Sequence, residues 1–327
     1  MNTAEFLTAL EQRLGSLPQE ERSWALSYFD ELFTDMMQEE GLSQEEAVAR
    51  LEPVEAIAAR ILEESPRASQ REVMEQEGVI RTLEAKTQGI RNIKVAARDM
   101  PIRVQAGEDD RISIRYPVDE HTRFDITTQG GELALVQQPW TWRSLFSFHV
   151  FYAKPYAIDV YVPRDVAAAM DLTTSNAPLH MEDIALWGSL LLQTSNAAIQ
   201  ARNISASQVH LKTSNGKIVA EKVTSGGSLE IKTSNARVEA KGLQAEGALS
   251  LVTSNGKITC SDIQGDDITL KTSNSNIKGV LPGAQADYMI DSATSNGKNS
   301  LPGSTQSGHK RLSCHTSNAN INVAFAQ

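Results

Sequence analysis

The chain has 327 residues, of which 40% are hydrophobic and 22% charged, and its formal net charge at pH 7 is −10. This composition is sufficient for an extended β domain and a small helical one. No apolar run reaches about 18 residues, so we expect no membrane-spanning helix. Residues 1–5 also lack the basic and apolar regions of a secretory signal.

Residues 1–66 are predicted to form a small bundle of four helices. Two capping boxes mark helix starts, because a short polar side chain followed three residues later by Glu can satisfy free backbone N–H groups. Asn2 with Glu5 forms the first box, and Ser43 with Glu46 forms the second. The other helix limits are marked by glycine and proline, at Gly15, Pro18, Gly41, Pro53 and Pro66.

Charge separates this helical head from the rest of the chain. Residues 1–66 hold 15 acidic and 4 basic side chains, a net charge of −11, while the remaining 261 residues carry +1. An acidic surface repels nucleic acid and anionic lipid, so we expect no nucleic-acid partner. The surface is either a solvated set of helix faces or a docking face for a basic protein. The charged residues 67–89 are predicted to continue as a helical linker.

The dominant signal is the tripeptide Thr-Ser-Asn, which occurs eight times with spacings of 19 to 22 residues. A fixed period of about 20 residues is typical of a stacked-repeat architecture. The eight asparagines are Asn176, Asn196, Asn215, Asn235, Asn255, Asn274, Asn296 and Asn318.

Apolar and polar residues alternate on both sides of the tripeptide. In the second copy, Leu190 and Leu192 precede Thr194, and Ile199 follows the corner. This alternation indicates strands with one buried face, and Asn and Gly tolerate the backbone angles of a tight corner. The sequence therefore predicts a mainly β, single-chain parallel β-solenoid over residues 90–327, with about ten coils of about 20 residues each.

The same alternation assigns directions to the corner side chains. It predicts that Thr and Asn point inward and that Ser points outward. Stacked coils would then align the eight asparagines in a column, with each amide hydrogen-bonded to the next. We interpret the asparagines as a structural ladder and not as catalytic or ligand-binding residues.

Two degraded copies of the repeat lie upstream of the regular array. In one, Arg98-Asp99 stands in place of Ser-Asn, and in the other Thr128 is followed by a corner containing Gly130 and Gly131. Because terminal repeats often cap the end of a stack, irregular first coils are consistent with an end cap. The β region is predicted to begin near residue 90.

An aromatic insertion at residues 138–156 interrupts the repeat spacing. It contains seven of the chain's 18 aromatic residues. It is either a hydrophobic cap on the solenoid or a contact surface for a partner chain, a sugar or a membrane surface. The candidate binding residues are Trp140, Trp142, Phe146, Phe148, Phe151 and Tyr152.

The chain offers no evident catalytic or metal-binding constellation. Cys260 and Cys314 occupy slots that should point inward, in different columns almost three coils apart, so we interpret them as small core residues in a reducing compartment. The six histidines are scattered and have no ligand-like spacing to acidic or cysteine residues. We therefore predict no cofactor, no metal and no catalytic residue.

The β region resembles the bacterial putative-adhesin β-solenoid family, whose function is unknown. Ala157–Pro163, leading into Leu172–Asn176, carry this resemblance. The helical head resembles the HAAS-type signalling domain through Phe6-Leu7, Leu14, Leu17–Glu21, Glu31–Phe33, Gly41 and Pro53–Ala58. The two resemblances imply a solenoid joined to a signalling head, and neither family supplies catalytic residues.

Three functions are compatible with these observations. The first is a non-catalytic interaction or scaffold protein in bacterial envelope-related signalling or regulation, which binds a protein partner or a second copy through its head or its aromatic insertion. The second is a surface adhesin or glycan-binding module. The third is a polysaccharide-active enzyme that uses an acidic pair such as Asp266 and Asp267. The first function predicts a cytoplasmic location and the second a cell-surface one.

Overall fold

The structure is a computed structural model that describes residues 1–17, 19–39, 41–68, 79–107, 109–118, 122–138 and 157–326. The chain divides into two compact units, one helical and one built of β-strands. The aromatic insertion at residues 138–156 lies outside the described residues except for Gln138. No helix in the described ranges is long and apolar enough to cross a membrane.

The helical unit contains the four predicted helices, which are α1 (Thr3–Arg13), α2 (Gln19–Glu39), α3 (Gln44–Ala49) and α4 (Val54–Ala68). Both predicted capping boxes are present, at Asn2 and at Ser43. Three phenylalanines pack together in the largely aliphatic core of the unit: the Phe6 ring lies 5.6 Å from the Phe29 ring and 5.2 Å from the Phe33 ring, centroid to centroid. Helix α4 continues two residues past Pro66, where the sequence predicted its end.

The β unit consists of two long sheets. Sheet A contains 12 strands. They are β1 (Val79–Lys86), β3 (Ile102–Ala106), β4 (Arg111–Val118), β7 (Ile158–Val162), β8 (Asp165–Val166), β10 (Leu179–Leu186), β12 (Ile199–Ala206), β14 (Ile218–Ser225), β16 (Val238–Ala245), β18 (Ile258–Gln264), β20 (Ile277–Pro282) and β23 (Ile321–Ala326).

Sheet B contains 11 strands. They are β2 (Asn92–Ala96), β5 (Phe124–Thr127), β6 (Glu132–Gln137), β9 (Ala169–Thr173), β11 (Leu190–Gln193), β13 (Val209–Lys212), β15 (Leu229–Lys232), β17 (Ala248–Val252), β19 (Asp267–Lys271), β21 (Tyr288–Thr294) and β22 (Lys310–Thr316).

The predicted parallel β-solenoid is confirmed. Each regular coil runs from a sheet B strand through the Thr-Ser-Asn corner into a sheet A strand, and equivalent residues pair in register with the next coil. The first apolar residue of β12, Ile199, pairs with Ile218 of β14, and Ile218 pairs with Val238 of β16. All three are fully buried, so the coils share one continuous hydrophobic core.

A bulge interrupts the alternation of buried and exposed residues in the middle of five sheet A strands. In β12, Ala201 and Ile204 both face the core, which is possible because Asn203 adopts a left-handed backbone with φ of 50°. The equivalent residues Asp183, Lys222, Gly242 and Asp262 also have positive φ. The bulge therefore bends the strand and keeps both of its halves packed on the core.

The coils at the two ends of the β unit do not stack in chain order. Strand β2 lies between β6 and β9, and β22 lies between β19 and β21. The predicted coil around Thr128 is wrong, because β5 and β6 form an antiparallel hairpin, with Gly130 and Gly131 at positive φ in its turn. The degraded copy at Arg98-Asp99 does form a coil corner between β2 and β3.

The β unit also begins earlier than predicted. Strand β1 occupies Val79–Lys86 and pairs antiparallel with β4, so the prediction of a helical linker over 67–89 is wrong for these residues. The charged sequence suggested a solvated helix. However, alternate residues of β1 can pack on the core from an edge position, where Leu83 and Ala85 contact it.

Substitution at the residue after the tripeptide tests the close stacking of the corners. A Cβ on Gly216 would overlap the carbonyl oxygen of Ala197 in the preceding coil, so we expect Gly216→Ala to destabilise the fold by about 2–3 kcal/mol. The matched change Ala236→Gly, in the same slot one coil later, should cost about 1 kcal/mol or less. Urea unfolding of both variants measures the difference, and equal losses would contradict this packing.

Candidate functional site

The eight repeat asparagines form a continuous ladder of side-chain hydrogen bonds. Each Nδ2 donates to the Oδ1 of the asparagine in the neighbouring coil at 2.6–2.8 Å. The ladder follows spatial order, so Asn318 bonds to Asn274, and Asn296 bonds to Asn318. At the other end, Asn176 donates to the carboxylate of Asp99 at 2.7 Å.

The predicted direction of these asparagines is wrong. Their side chains are exposed, whereas the threonines of the tripeptides are buried or nearly so. The corner is a bend and not an extended strand, so the strict alternation stops at the Thr. Inside the corner, the Thr194 hydroxyl donates to the Ser175 carbonyl oxygen of the preceding coil, and the Thr213 hydroxyl donates likewise to Ser195.

The ladder uses half of the hydrogen-bonding capacity of each interior asparagine amide. Each interior asparagine uses its Oδ1 as an acceptor and one N–H as a donor within the column. This arrangement ties neighbouring coils together at an exposed corner. The hydrogen bonds have the geometry of the predicted ladder, and its structural role stays a prediction.

The other predicted candidates cannot be placed. Trp140, Trp142, Phe146, Phe148, Phe151 and Tyr152 all lie outside the described residues. One aromatic residue that sequence analysis missed is Trp187, which is 69% exposed and donates from its indole Nε1 to Asp165 Oδ1 at 2.6 Å. In the sequence, the exposure of Trp187 is indicated only by its position directly after Leu186, the last buried residue of β10.

The outer face of sheet B carries a cluster of paired charges. In one outward column, His210 of β13 contacts Glu230 of β15 at 3.1 Å, and Lys212 contacts the same carboxylate at 3.2 Å. Partial burial opposes ionisation of Glu230, but the hydrogen bonds from His210 and Lys212 outweigh it and lower the pKa of that carboxyl. This part of the face is therefore satisfied internally.

Asp171 occupies the same outward column and is not satisfied. It lies in the middle of β9, beside Lys94 of β2 and Leu191 of β11. Its Oδ1 is fully enclosed, although the residue as a whole is only half-buried, and it has no hydrogen-bond partner in the protein. Among the described residues no other side-chain polar atom is buried in this way without a partner.

A cavity of about 380 Å³ opens above this carboxylate, and we call it the Asp171 pocket. It is lined by Asn92, Ala169, Met170, Asp171, Ser189, Leu191, His210 and Lys212. Burial raises the pKa of Asp171, the Lys94 cation opposes that rise, and Glu132 adds to it. The pocket thus combines an unpartnered acceptor, several polar side chains and the apolar Leu191.

A second, shallow groove crosses sheet A along the bulges. It has a volume of about 410 Å³, and Asp183, Asn203 and Lys222 are among the residues that line it. Asn203 Nδ2 donates to Asp183 Oδ1 at 2.6 Å. Because the bulges are explained by core packing, this groove carries less functional information than the Asp171 pocket.

The two cysteines are buried and free, but they are closer than sequence spacing suggested. Strand β22 lies beside β19, so Cys314 pairs in register with Leu270 and lies in the second coil beyond that of Cys260. Burial raises the pKa of each thiol to about 12, and the charge of Cys260 adds to the effect at Cys314. Within the described ranges, no group of three or more His, Cys, Asp or Glu side chains is placed to hold a metal ion.

Comparison with protein families matches residues 90–324 to the family described as Toastrack DUF4097. This range covers most of the chain and includes every Thr-Ser-Asn corner. The chain belongs to the Toastrack DUF4097 family. The helical unit lies outside the matched range, so its likeness to the HAAS-type domain stays a prediction.

Solved structures similar to this Toastrack protein include putative adhesins from two organisms. One, from Bacteroides fragilis, is 11% identical with a TM-score of 0.38, over 76% of this chain and 97% of its own. Another, from Parabacteroides merdae, is 12% identical with a TM-score of 0.30, over 77% and 98%. A putative cell adhesion protein from Clostridium sporogenes is 8% identical with a TM-score of 0.26, over 76% and 99%. A search of curated proteins found no match.

The asparagine ladder of the Toastrack solenoid can be tested in its middle. Asn235→Ala removes two ladder hydrogen bonds, to Asn215 and to Asn255, and should destabilise the protein by about 1–2 kcal/mol. Ser234→Ala, at the adjacent corner position, should change stability by less than about 0.5 kcal/mol. Urea unfolding measures both, and the structural role is refuted if the two variants are equally stable.

Asp171 should make the stability of the protein depend on pH. Its folded-state pKa lies above the ordinary value of 3.8, so the folded chain binds this proton more tightly than the unfolded chain does. The carboxylate therefore destabilises the fold above its raised pKa, and this penalty disappears as the pH falls below 3.8.

We expect Asp171→Asn to be more stable than the natural protein by about 1 kcal/mol at pH 7, with the gain shrinking as the pH falls. Urea unfolding at a series of pH values from 7 down to about 3.5 measures it, because that interval crosses the pKa of the carboxyl in both states. A gain that is constant over this interval, or a loss of stability at pH 7, would contradict the assignment.

Proposed function

We propose that this Toastrack chain is a non-catalytic interaction protein that recognises its partner on the outer face of sheet B, at the Asp171 pocket. The observation that carries the proposal is the half-buried carboxylate of Asp171 in the lining of this pocket, whose enclosed Oδ1 has no hydrogen-bond partner in the protein. Such an atom costs the free protein about 1–3 kcal/mol. Oδ2 of the same carboxylate is not enclosed in this way, so a partner in the pocket can donate a hydrogen bond to Asp171 there.

The rigidity of β9 supports this proposal. Its backbone pairs in register with β2 on one side and β11 on the other, over the whole strand. The strand cannot move to relieve Asp171 without breaking both ladders. A pre-organised acceptor of this kind loses little conformational entropy when a partner binds.

The second part of the proposal concerns the biological process and the helical unit. We infer that the protein acts in bacterial envelope-related signalling or regulation, and that the helical unit engages a protein partner or a second copy. The net charge of −11 on residues 1–66 favours a basic partner surface. Cell fractionation decides between the cytoplasmic location expected from the sequence and association with the cell surface.

A binding experiment with isolated bacterial envelopes tests the proposed site. The purified full-length chain is mixed with envelopes and sedimented, and the bound fraction is measured at increasing envelope concentration. We expect Asp171→Leu to weaken binding at least tenfold, because it replaces the carboxylate acceptor with an apolar side chain. Asp291→Leu is the matched control, since Asp291 lies in the same outward column near its far end and is exposed.

Two results would count against the proposal. Equal binding by the Asp171→Leu variant and the natural chain would remove the pocket from recognition. Release of shortened polysaccharide from the envelopes by the natural chain would contradict a non-catalytic role and favour the polysaccharide-active alternative.

A further inference from the structure

Four neighbouring corners of the solenoid carry a line of positive charge. They are the hexapeptides 212–217, 232–237, 252–257 and 271–276, each made of a Thr-Ser-Asn tripeptide, the residue before it and the two residues after it. Together they hold six basic side chains and no acidic one. We call these six the corner stripe: Lys212, Lys217, Lys232, Arg237, Lys257 and Lys271.

The stack arranges the corner stripe in two columns, one on each side of the exposed asparagines. The stripe residues before the tripeptide form one outward column, because β13, β15, β17 and β19 are consecutive neighbours in sheet B. The three after it form the second, because Ile218 N–H donates to the Arg237 carbonyl oxygen and Val238 N–H donates to that of Lys257. Neighbouring strands lie about 4.8 Å apart, so the stripe is about 14 Å long.

The fold does not require these cations. The corners at 173–178 and 193–198 contain the same tripeptide without a charged residue, so the corner forms in their absence. Lys212 and Lys232 also pair in register on adjacent strands, where like charges destabilise a sheet. The stripe is therefore not explained by the stability of the stack.

Most of the stripe is free to meet an anion. Lys212 is paired with Glu230, and Arg237 is paired with Glu239. The stripe cations without an ion-pair partner in the described part of the chain are Lys217, Lys232, Lys257 and Lys271. All four are exposed except the half-buried Lys217. The free charges are thus regularly spaced and accessible.

This arrangement suits a linear polymer with anionic groups at intervals along its length. Between the two columns, each corner exposes an Asn amide that keeps one N–H and one acceptor lone pair outside the ladder, as at Asn235 and Asn255. A Ser hydroxyl precedes each of these amides. A polymer that carries hydroxyl groups as well as charges can use both sets of side chains.

Three other anionic partners fit less well. Single-stranded nucleic acid stacks its bases on aromatic side chains, and the four corners contain none. A duplex presents one phosphate about every 3.4 Å along each strand, whereas the stripe has a period of about 4.8 Å. A membrane surface favours apolar side chains that insert, and the half-buried Val252 is the only large apolar residue in these corners.

We propose that the corner stripe binds an acidic polysaccharide, with carboxylates on the two columns of cations and hydroxyl groups on the Asn and Ser side chains between them. The stripe shares only Lys212 with the lining of the Asp171 pocket, and this inference goes beyond the proposed function. Because the contacts are exposed, one acidic sugar binds weakly, and several units of one polymer bind the stripe together.

Fluorescence anisotropy with the full-length chain tests the proposal. The probes are labelled oligomers of galacturonate and of hyaluronan, which carry a carboxylate on every sugar and on every second sugar. We expect at least one to bind, and its binding to weaken as salt rises from about 50 to 200 mM. Methyl-esterified oligogalacturonate, which has lost its charge, should not bind measurably.

Variants with matched charge locate the binding surface. Lys232→Gln combined with Lys257→Gln should weaken binding about tenfold, because it removes two free cations of the stripe. The same two positions changed to Arg keep the charge and should keep the binding. Lys86→Gln combined with Lys241→Gln has the same net charge as the stripe variant and loses two exposed lysines outside the corners, so binding should stay within about twofold.

Loss of binding in the stripe Gln variant alone supports the proposal. Equal losses in the two Gln variants would assign binding to net charge and overturn it, as would failure of both acidic oligomers to bind at about 50 mM salt. Poly-glutamate, single-stranded DNA or anionic lipid vesicles that bind as tightly as the acidic oligomers would overturn the assignment to a polysaccharide. Asp171→Leu should bind the oligomers normally, so the stripe and the proposed pocket can fail independently.

Discussion

The fold depends on hydrogen bonding between coils. Along the regular array, backbone groups find partners in the neighbouring coils, and this holds even at the corners. Thr213 N–H donates to the Lys232 carbonyl oxygen on one side, while the N–H groups of Ser214 and Asn215 both donate to the Ser195 carbonyl oxygen on the other. A coil that slipped by one residue would lose these bonds and expose its apolar face at the same time. Equivalent side chains are therefore held in columns, which is why a simple tripeptide can produce a continuous amide ladder.

A stack of this kind has an exposed edge strand at each end. At both ends of this stack the strands depart from chain order. At each end, one coil lies between two others and not outermost, because β2 lies between β6 and β9, and β22 lies between β19 and β21. The edge of β21 is also covered by its own connection, where Ser292 N–H donates to Gly303 and Thr305 N–H donates to Ile290. Covering an edge strand in this way blocks pairing with another chain.

The sequence predicted the regular array well, because local alternation determines which residues face the core. Residues such as Ile199 and Ile218 were placed correctly from their distance to the tripeptide. The bulge was also readable in principle, since Ala201 and Ile204 both recur as small or apolar residues although their spacing breaks the alternation. What could not be read was the stacking order of the end coils, because the choice of neighbour depends on the path of long connections. The exposure of the asparagines was misjudged, because a bend does not continue the alternation of the strand before it.

The Asp171 pocket could not be predicted from the sequence, because it depends on the pairing of β9 with β2, a strand that is distant in the chain. In the regular array, the outward carboxylate of Glu230 finds its partners one coil away, in His210 and Lys212 of the neighbouring strand. Asp171 has the apolar Leu191 on one side, and on the other it has β2, which is far away in the chain and is placed there by the irregular end. Asn92 reaches the pocket from that same strand. The regular coils supply rigidity but repeat a satisfied surface, whereas the departure from chain order at one end encloses a carboxylate that the scaffold cannot move. In a repeat protein, an unsatisfied polar group on a rigid strand makes one position along the stack chemically different from the others.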